Sequence, residues 1–118
     1  MRLDKWTVKA QEALATAQGE AMEAGNAAVT PLHLLNSLLT QEGGLAMTLL
    51  ARVGIPRERI MSIVSAELGR LPTQSHQAGM GMDPAMNGVV LRSAKEAKDL
   101  KDEYISVEHL LLALAEVP

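Results

Sequence analysis

Apolar and polar residues recur along most of the chain with the spacing of α-helices. This spacing predicts helices over residues 8–24, 31–41, 45–53, 56–68 and 84–100, and a further helix that begins at Ser106. Leucine, alanine and methionine fill the apolar positions, and aromatic residues are almost absent. Because that composition suits packed helices better than a sheet, the sequence predicts an all-α fold.

Each predicted helix has one apolar face that should point into the core. In the first helix this face is mostly alanine, which lets a neighbouring helix approach closely. The residues expected to lie inward are, in chain order, Ala10, Ala13, Leu14, Ala17, Ala21 and Ala24; Leu34, Leu35, Leu38 and Leu39; Leu45, Leu49, Leu50 and Val53; Ile60, Ile63, Val64 and Leu68; Met86, Val90, Ala94 and Ala97; and Leu110, Leu111, Leu114 and Ala115.

One type of helix start occurs twice in the chain. Residues 29–35 and 105–111 each place a β-branched residue and then a hydroxyl residue shortly before a His-Leu-Leu run. Thr30 and Ser106 are good N-caps, because a side-chain oxygen can accept an unpaired amide hydrogen of the first turn. We expect the histidine of each copy to satisfy backbone groups of the same turn.

The segments that precede these two copies are also similar, so a tandem repeat is the most specific signal in the sequence. Ala13-Leu14, Ala17 and Ala21 correspond to Val90-Leu91, Ala94 and Ala97. A slip of one residue between Ala94 and Ala97 indicates that the second repeat is slightly shorter.

The predicted architecture is a pseudo-twofold tandem repeat of a four-helix motif, with the second repeat truncated. Repeat one covers residues 1–70, a linker covers residues 71–82, and the incomplete repeat two covers residues 83–118. We therefore expect the chain to be a fragment whose last helix lacks cover and promotes self-association.

The sequence contains no recognisable catalytic set. Gly43-Gly44 is not followed by the Gly-Lys-Ser/Thr of a phosphate loop, so this chain should not hydrolyse ATP. Asp102 and Glu108 resemble a pair of catalytic carboxylates, but a turn acid and a helix-dipole acid are the simpler interpretation. The chain is therefore not expected to be an enzyme.

Metal binding by the three histidines is geometrically possible but disfavoured. Cysteine is absent, and a closed zinc site needs a fourth ligand beside His33, His76 and His109. Two methionines of the linker, Met80 and Met82, could serve as adaptable apolar contacts, although covering the seam between the repeats is the simpler role. No cofactor is expected in this chain.

Charge and hydropathy argue against other classes of function. The net charge is −3 and no run of like charge occurs, which argues against a nucleic-acid surface. No apolar run approaches the length of a membrane span, and the amino terminus is unlike a signal peptide. The expected location is cytoplasmic.

Several stretches together resemble the amino-terminal domain of Clp/Hsp100 AAA+ proteins, the Clp repeat domain, and most closely that of the ClpB disaggregases. The stretches that carry this resemblance are residues 1–7, 31–35, 41–44, 54–55 and 101–114. The opening heptad and the Gln-Glu-Gly-Gly turn are what favour ClpB over its protease-partner relatives. Two further helices complete the module in that family, and ATPase domains follow it.

The resemblance implies a non-catalytic domain that captures unfolded or aggregated polypeptide for an attached ATP-driven ring, in the full-length protein a homo-hexamer. It implies functional roles for Thr7, Asp102 and Glu108, the first two of which would rim an apolar groove near Leu91 and Leu110. ATP would be bound by the ring domains and not by this chain.

Two other functions are compatible with the sequence. The same fold could bind an adaptor protein in a ClpA- or ClpC-like unfoldase that serves a protease. A helical nucleic-acid-binding module is the alternative of a different class, and a marked dependence of DNA binding on salt would support it.

Overall fold

The computed structural model describes residues 3–73 and 81–117. The described elements are a short 3-10 helix Leu3–Lys5, α1 Val8–Glu23, β1 Ala28–Val29, α2 Pro31–Thr40, α3 Leu45–Val53, α4 Arg57–Leu68, β2 Gly81–Met82, α5 Pro84–Asp99 and α6 Val107–Leu114. The all-α prediction is confirmed, and the predicted helix bounds agree with these to within about a residue where both ends were given.

Capping residues explain where the first helix of each repeat begins. The Thr7 hydroxyl accepts a hydrogen bond from the amide of Ala10 at 3.2 Å, and the Asp83 carboxylate accepts one from Ala85 at 3.0 Å. Pro84 then occupies the first helical position of α5, where no donor is required. The sequence therefore sets the start of both α1 and α5 locally.

Corresponding buried residues of the two repeats are separated by the same number of positions along the sequence. Buried residues of α1 match buried residues of α5 without any slip, in the pairs Ala10 with Met86, Ala13 with Val89, Ala17 with Ser93 and Ala21 with Ala97. Both helices have 16 residues. The expectation of a shortened second repeat is therefore wrong.

A polar residue in the core caused that error. Ser93 is fully buried, and its hydroxyl donates to the Val90 carbonyl of its own helix at 2.8 Å. The serine thus takes the inward position that the apolar pattern had given to Ala94, which is exposed. A buried hydroxyl with an acceptor costs little, so the core tolerates it.

Two short backbone pairings tie the repeats together. β1 pairs with β2 in parallel register, Val29 opposite Met82, and Trp6 forms an equivalent parallel bridge with Ile105. Residues 81–82 are therefore a strand and not part of an irregular linker, while Met80 and His76 lie outside the described residues. In each repeat, the residues just before the first helix therefore pair with the backbone of the other repeat.

The core lies between the α1–α2 and α5–α6 pairs. Leu34, Leu38, Met86 and Leu110 are completely buried there. α5 packs along α6 much as α1 packs along α2, and α1, α2 and α3 also contact α6. The expectation that nothing covers α6 is therefore wrong for its inner face.

Several residues that were expected inside lie on the surface. α3 presents Ala46 and Leu50 to the core, because only one of its faces contacts its neighbours, and its other apolar residues point outward. The expected core positions that are exposed are Ala24, Leu45, Leu49, Val53, Ile63, Ala94 and Ala115.

Candidate functional site

The main candidate site is an open groove of about 500 Å³ between α5 and α6. We call it the α5–α6 groove. Its lining residues are Ala85, Gly88, Val89, Leu91, Arg92, Lys95, Ala113, Glu116 and Val117.

Small residues keep this groove open. Val89 and Ala113 are buried and contribute to its apolar lining, while Ala85 and Gly88 add almost no side chain on the α5 side. A Cβ atom added at Gly88 would meet nothing within 4 Å. Leu91 is 73% exposed in the same lining. An apolar side chain from outside could therefore enter without moving the backbone.

The basic side chains of the groove are paired with nearby acids. The Arg92 guanidinium donates to Glu96 at 3.0 Å and lies 3.8 Å from Glu116, and Lys95 donates to Asp99 at 2.9 Å. The hydrogen bond to Glu96 raises the pKa of Arg92 above its ordinary value. Because these pairs are solvent-exposed, they contribute little stability and a ligand could displace them.

The predicted site residues do not form one cluster. Leu91 lies in the groove, but Leu110 is completely buried in the core and cannot line a surface as it stands. Thr7, Asp102 and Glu108 lie near the amino-terminal end of α6, where the Thr7 amide donates to the Ile105 carbonyl at 2.9 Å.

The α5–α6 groove lies toward the opposite end of the same helix. Its α6 side is formed by Ala113, Glu116 and Val117. A helix of 8 residues is about 12 Å long. The three polar residues therefore do not rim this groove. Sequence reasoning missed its Gly88, Arg92 and Lys95.

Asp102 has a structural partner. The buried imidazole of His109 accepts a hydrogen bond at Nδ1 from the Ser106 amide at 2.8 Å, so the hydrogen-bond pattern assigns the proton to Nε2. Nε2 then donates to the Asp102 carboxylate at 2.8 Å. Asp102 thus fixes the ring that caps α6.

Repeat one contains the same arrangement with a neutral partner. His33 accepts from the Thr30 amide at 2.9 Å and donates to the Asn26 side-chain oxygen at 2.9 Å. Burial lowers the pKa of His33, with nearby Glu20 acting in the opposite direction. The prediction that both histidines satisfy local backbone groups is confirmed.

Within the described ranges 3–73 and 81–117, no group of three or more potential metal-ligating histidines or acids is found. Met82 is half-buried against the core, while the other linker methionine lies outside those ranges. None of the described helices is both long and apolar enough to cross a membrane.

Comparison with known proteins gives consistent results. The chain is 39% identical over 117 residues to the chaperone protein ClpB of Rhodopirellula baltica, covering 97% of this chain and 13% of that protein. It is 38% identical to ClpB of Nitratidesulfovibrio vulgaris, covering 100% of this chain and 14% of that protein. The chain thus spans about one seventh of the length of these relatives.

Solved structures share the fold. The Hsp104 N-terminal domain of Candida albicans superposes with a TM-score of 0.89 at 25% identity, covering 95% of this chain and 74% of that one. The N-terminal domain of the ClpV1 ATPase of E. coli gives a TM-score of 0.88 at 25% identity, covering 98% and 71%. Residues 5–118 match the family described as Clp repeat N-terminal domain, and the chain belongs to that family.

Proposed function

We propose that this domain binds exposed apolar segments of unfolded or aggregated polypeptides in the α5–α6 groove, as the non-catalytic substrate-binding part of a ClpB-like disaggregase. The observation that carries the proposal is an open apolar groove that small residues keep unfilled. The similarity to chaperones named ClpB supports it.

The groove favours weak and unselective binding. Its lining is mainly apolar, and few polar groups are available to fix the orientation of a ligand. Full burial of one leucine-sized side chain contributes about 1.5–3 kcal/mol. One or two such side chains would therefore bind reversibly, which suits a domain that must release its substrate.

We further propose that the amino-terminal end of α6 acts as a separate polar contact for the substrate. Glu108 is exposed there and could contact it directly. Asp102 would act through His109, and Thr7 through its cap on α1. In the longer protein, which we propose to be cytoplasmic and hexameric, an ATP-driven ring would receive the bound chain.

The groove is tested by filling it. Gly88→Leu adds a side chain to the lining of the groove, and its Cβ meets nothing within 4 Å. The probe is fluorescein-labelled, reduced and carboxymethylated α-lactalbumin, and the readout is fluorescence anisotropy. We expect the affinity of Gly88→Leu for this probe to be lower by about fivefold or more, because the new leucine occupies space that an apolar side chain of the substrate would fill.

Gly19→Leu is the matched control. Gly19 also lies exposed within a helix of 16 residues, and its added Cβ also meets nothing within 4 Å. We expect this variant to bind the probe like the original chain, with a similar gain in helix propensity. Equal affinities of the two variants would contradict the assignment of the groove.

A further inference from the structure

One side of α3 is apolar and only partly covered by the described residues. Leu45, Leu49 and Val53 follow one another at helical spacing and are 36%, 44% and 67% exposed. The adjoining face of the same helix packs Ala46 and Leu50 against the core. The apolar surface of α3 therefore extends beyond its buried face, and the exposed part is available to a partner.

Arginines concentrate at the carboxyl end of this stripe. Arg52, Arg57 and Arg59 lie within eight residues that contain a single acid, Glu58. Within residues 3–73 and 81–117 these arginines form no ion pair, and the buried Nε of Arg57 has no hydrogen-bond acceptor. The end of α3 and the start of α4 are therefore basic, although the whole chain has a net charge of −3.

We propose that these six residues, Leu45, Leu49, Arg52, Val53, Arg57 and Arg59, form a docking surface for an acidic amphipathic helix of a partner polypeptide. We call it the α3 surface. Apolar side chains one turn apart on the partner pack along the stripe of three, and its carboxylates bind the arginines. Charge complementarity selects this partner, because these arginines form no ion pair with any described residue.

The same charges disfavour a parallel pairing of two copies through this surface. A twofold interface in which the two α3 helices lie side by side in the same direction would bring Arg52 and Arg59 close to the arginines of the other copy. Like charges at an interface suppress association. The α3 surface is also independent of the α5–α6 groove, since no residue of α3 lines that groove.

The first test uses two synthetic helices that differ only in charge. One carries leucines one turn apart with glutamate at the other positions, and in the second peptide lysine replaces glutamate. We expect the acidic peptide to bind at least about tenfold more tightly by fluorescence anisotropy, and to lose affinity as salt is raised. Amide chemical shifts should change mainly in residues 45–59.

Two double variants and one control identify the surface. Arg52→Glu with Arg59→Glu should weaken the acidic peptide by about tenfold, and Leu49→Ser with Val53→Ser should do the same. Arg70→Glu reverses a charge that is also exposed and lies beyond α4, and it should change the affinity by less than about twofold. Circular dichroism verifies that all variants fold, as expected for exposed positions.

Several results would overturn the proposal. These are no binding of the acidic peptide, equal binding of both peptides, or chemical-shift changes centred on α5 and α6. Sedimentation that depends on concentration and is abolished by the Leu49 and Val53 substitutions would make the surface a contact between copies. If phosphatidylserine vesicles bind the domain and the acidic peptide does not, the surface would be a membrane contact.

Discussion

At the scale of single residues, the two repeats differ in the partner of one buried histidine. His33 donates to the neutral Asn26, whereas His109 donates to the carboxylate of Asp102. The geometry is otherwise the same, with the other ring nitrogen accepting from the N-cap amide. An acceptor at this position keeps the imidazole in the tautomer that caps the helix. We therefore expect the cap to require an acceptor at this position and not specifically a carboxylate.

Substitution of Asp102 tests this role. Asp102→Ala leaves the buried Nε2–H of His109 without its protein acceptor and should lower the free energy of unfolding by about 1–3 kcal/mol. Asp102→Asn restores the acceptor found in repeat one and should cost less than about 1 kcal/mol. Urea denaturation measures both. If Asn is as damaging as Ala, the charge and not the acceptor holds the ring.

At the scale of elements, the ends of the helices are set locally, while their faces are not. Thr7 and Asp83 cap equivalent helices, and each side chain is in contact with the first turn. α1 and α5 therefore begin where the sequence predicts. The inward face of α3 depends instead on which neighbours lie beside it, and its exposed stripe shows that apolar spacing alone does not identify that face.

Removing both polar groups at the end of α6 should weaken substrate handling without unfolding the domain. Thr7→Ala loses a cap worth about 1 kcal/mol. Glu108→Ala loses an exposed first-turn acid worth about 0.5 kcal/mol. We expect native circular dichroism with lower stability, and slower reactivation of aggregated substrate by the full-length protein. Loss of the helical spectrum would show instead that these residues are structural.

At the scale of the whole molecule, the repeats are tied together by exchange of backbone hydrogen bonds. The Thr7 amide of repeat one donates to Ile105 of repeat two at 2.9 Å, and the Asp83 amide of repeat two donates to Val29 of repeat one at 3.0 Å. Each first helix is therefore anchored on the opposite repeat. Neither repeat can separate without breaking both anchors and opening the shared core.

This exchange predicts one cooperative unfolding transition for the chain. Native-state hydrogen exchange should protect the amides of Thr7, Asp83 and Ile105 to about the same free energy as the amides of α2 and α6. Two separate transitions in urea, or anchors that exchange much earlier than those helices, would show that the repeats unfold independently.

The sequence by itself determined the helices, their caps and the family. These features depend on neighbours within about one turn, such as the cap at Thr7, the proline at Pro84 or the histidine that returns to Ser106. The repeat could also be recognised from the sequence, but its register in α5 could not. Ser93 counts as polar in a sequence pattern, yet it is buried in the structure, where its hydroxyl bonds to a carbonyl of its own helix.

Only the tertiary structure decided which apolar residues are buried and which remain available for binding. Leu110 fills the core because α5 packs along α6. Leu91 and Val53 lie on the surface because the described residues leave them largely uncovered. The groove likewise requires two helices at a particular separation, with Gly88 facing the space between them. Burial depends on contacts between residues distant in sequence, and helical periodicity carries no information about those contacts.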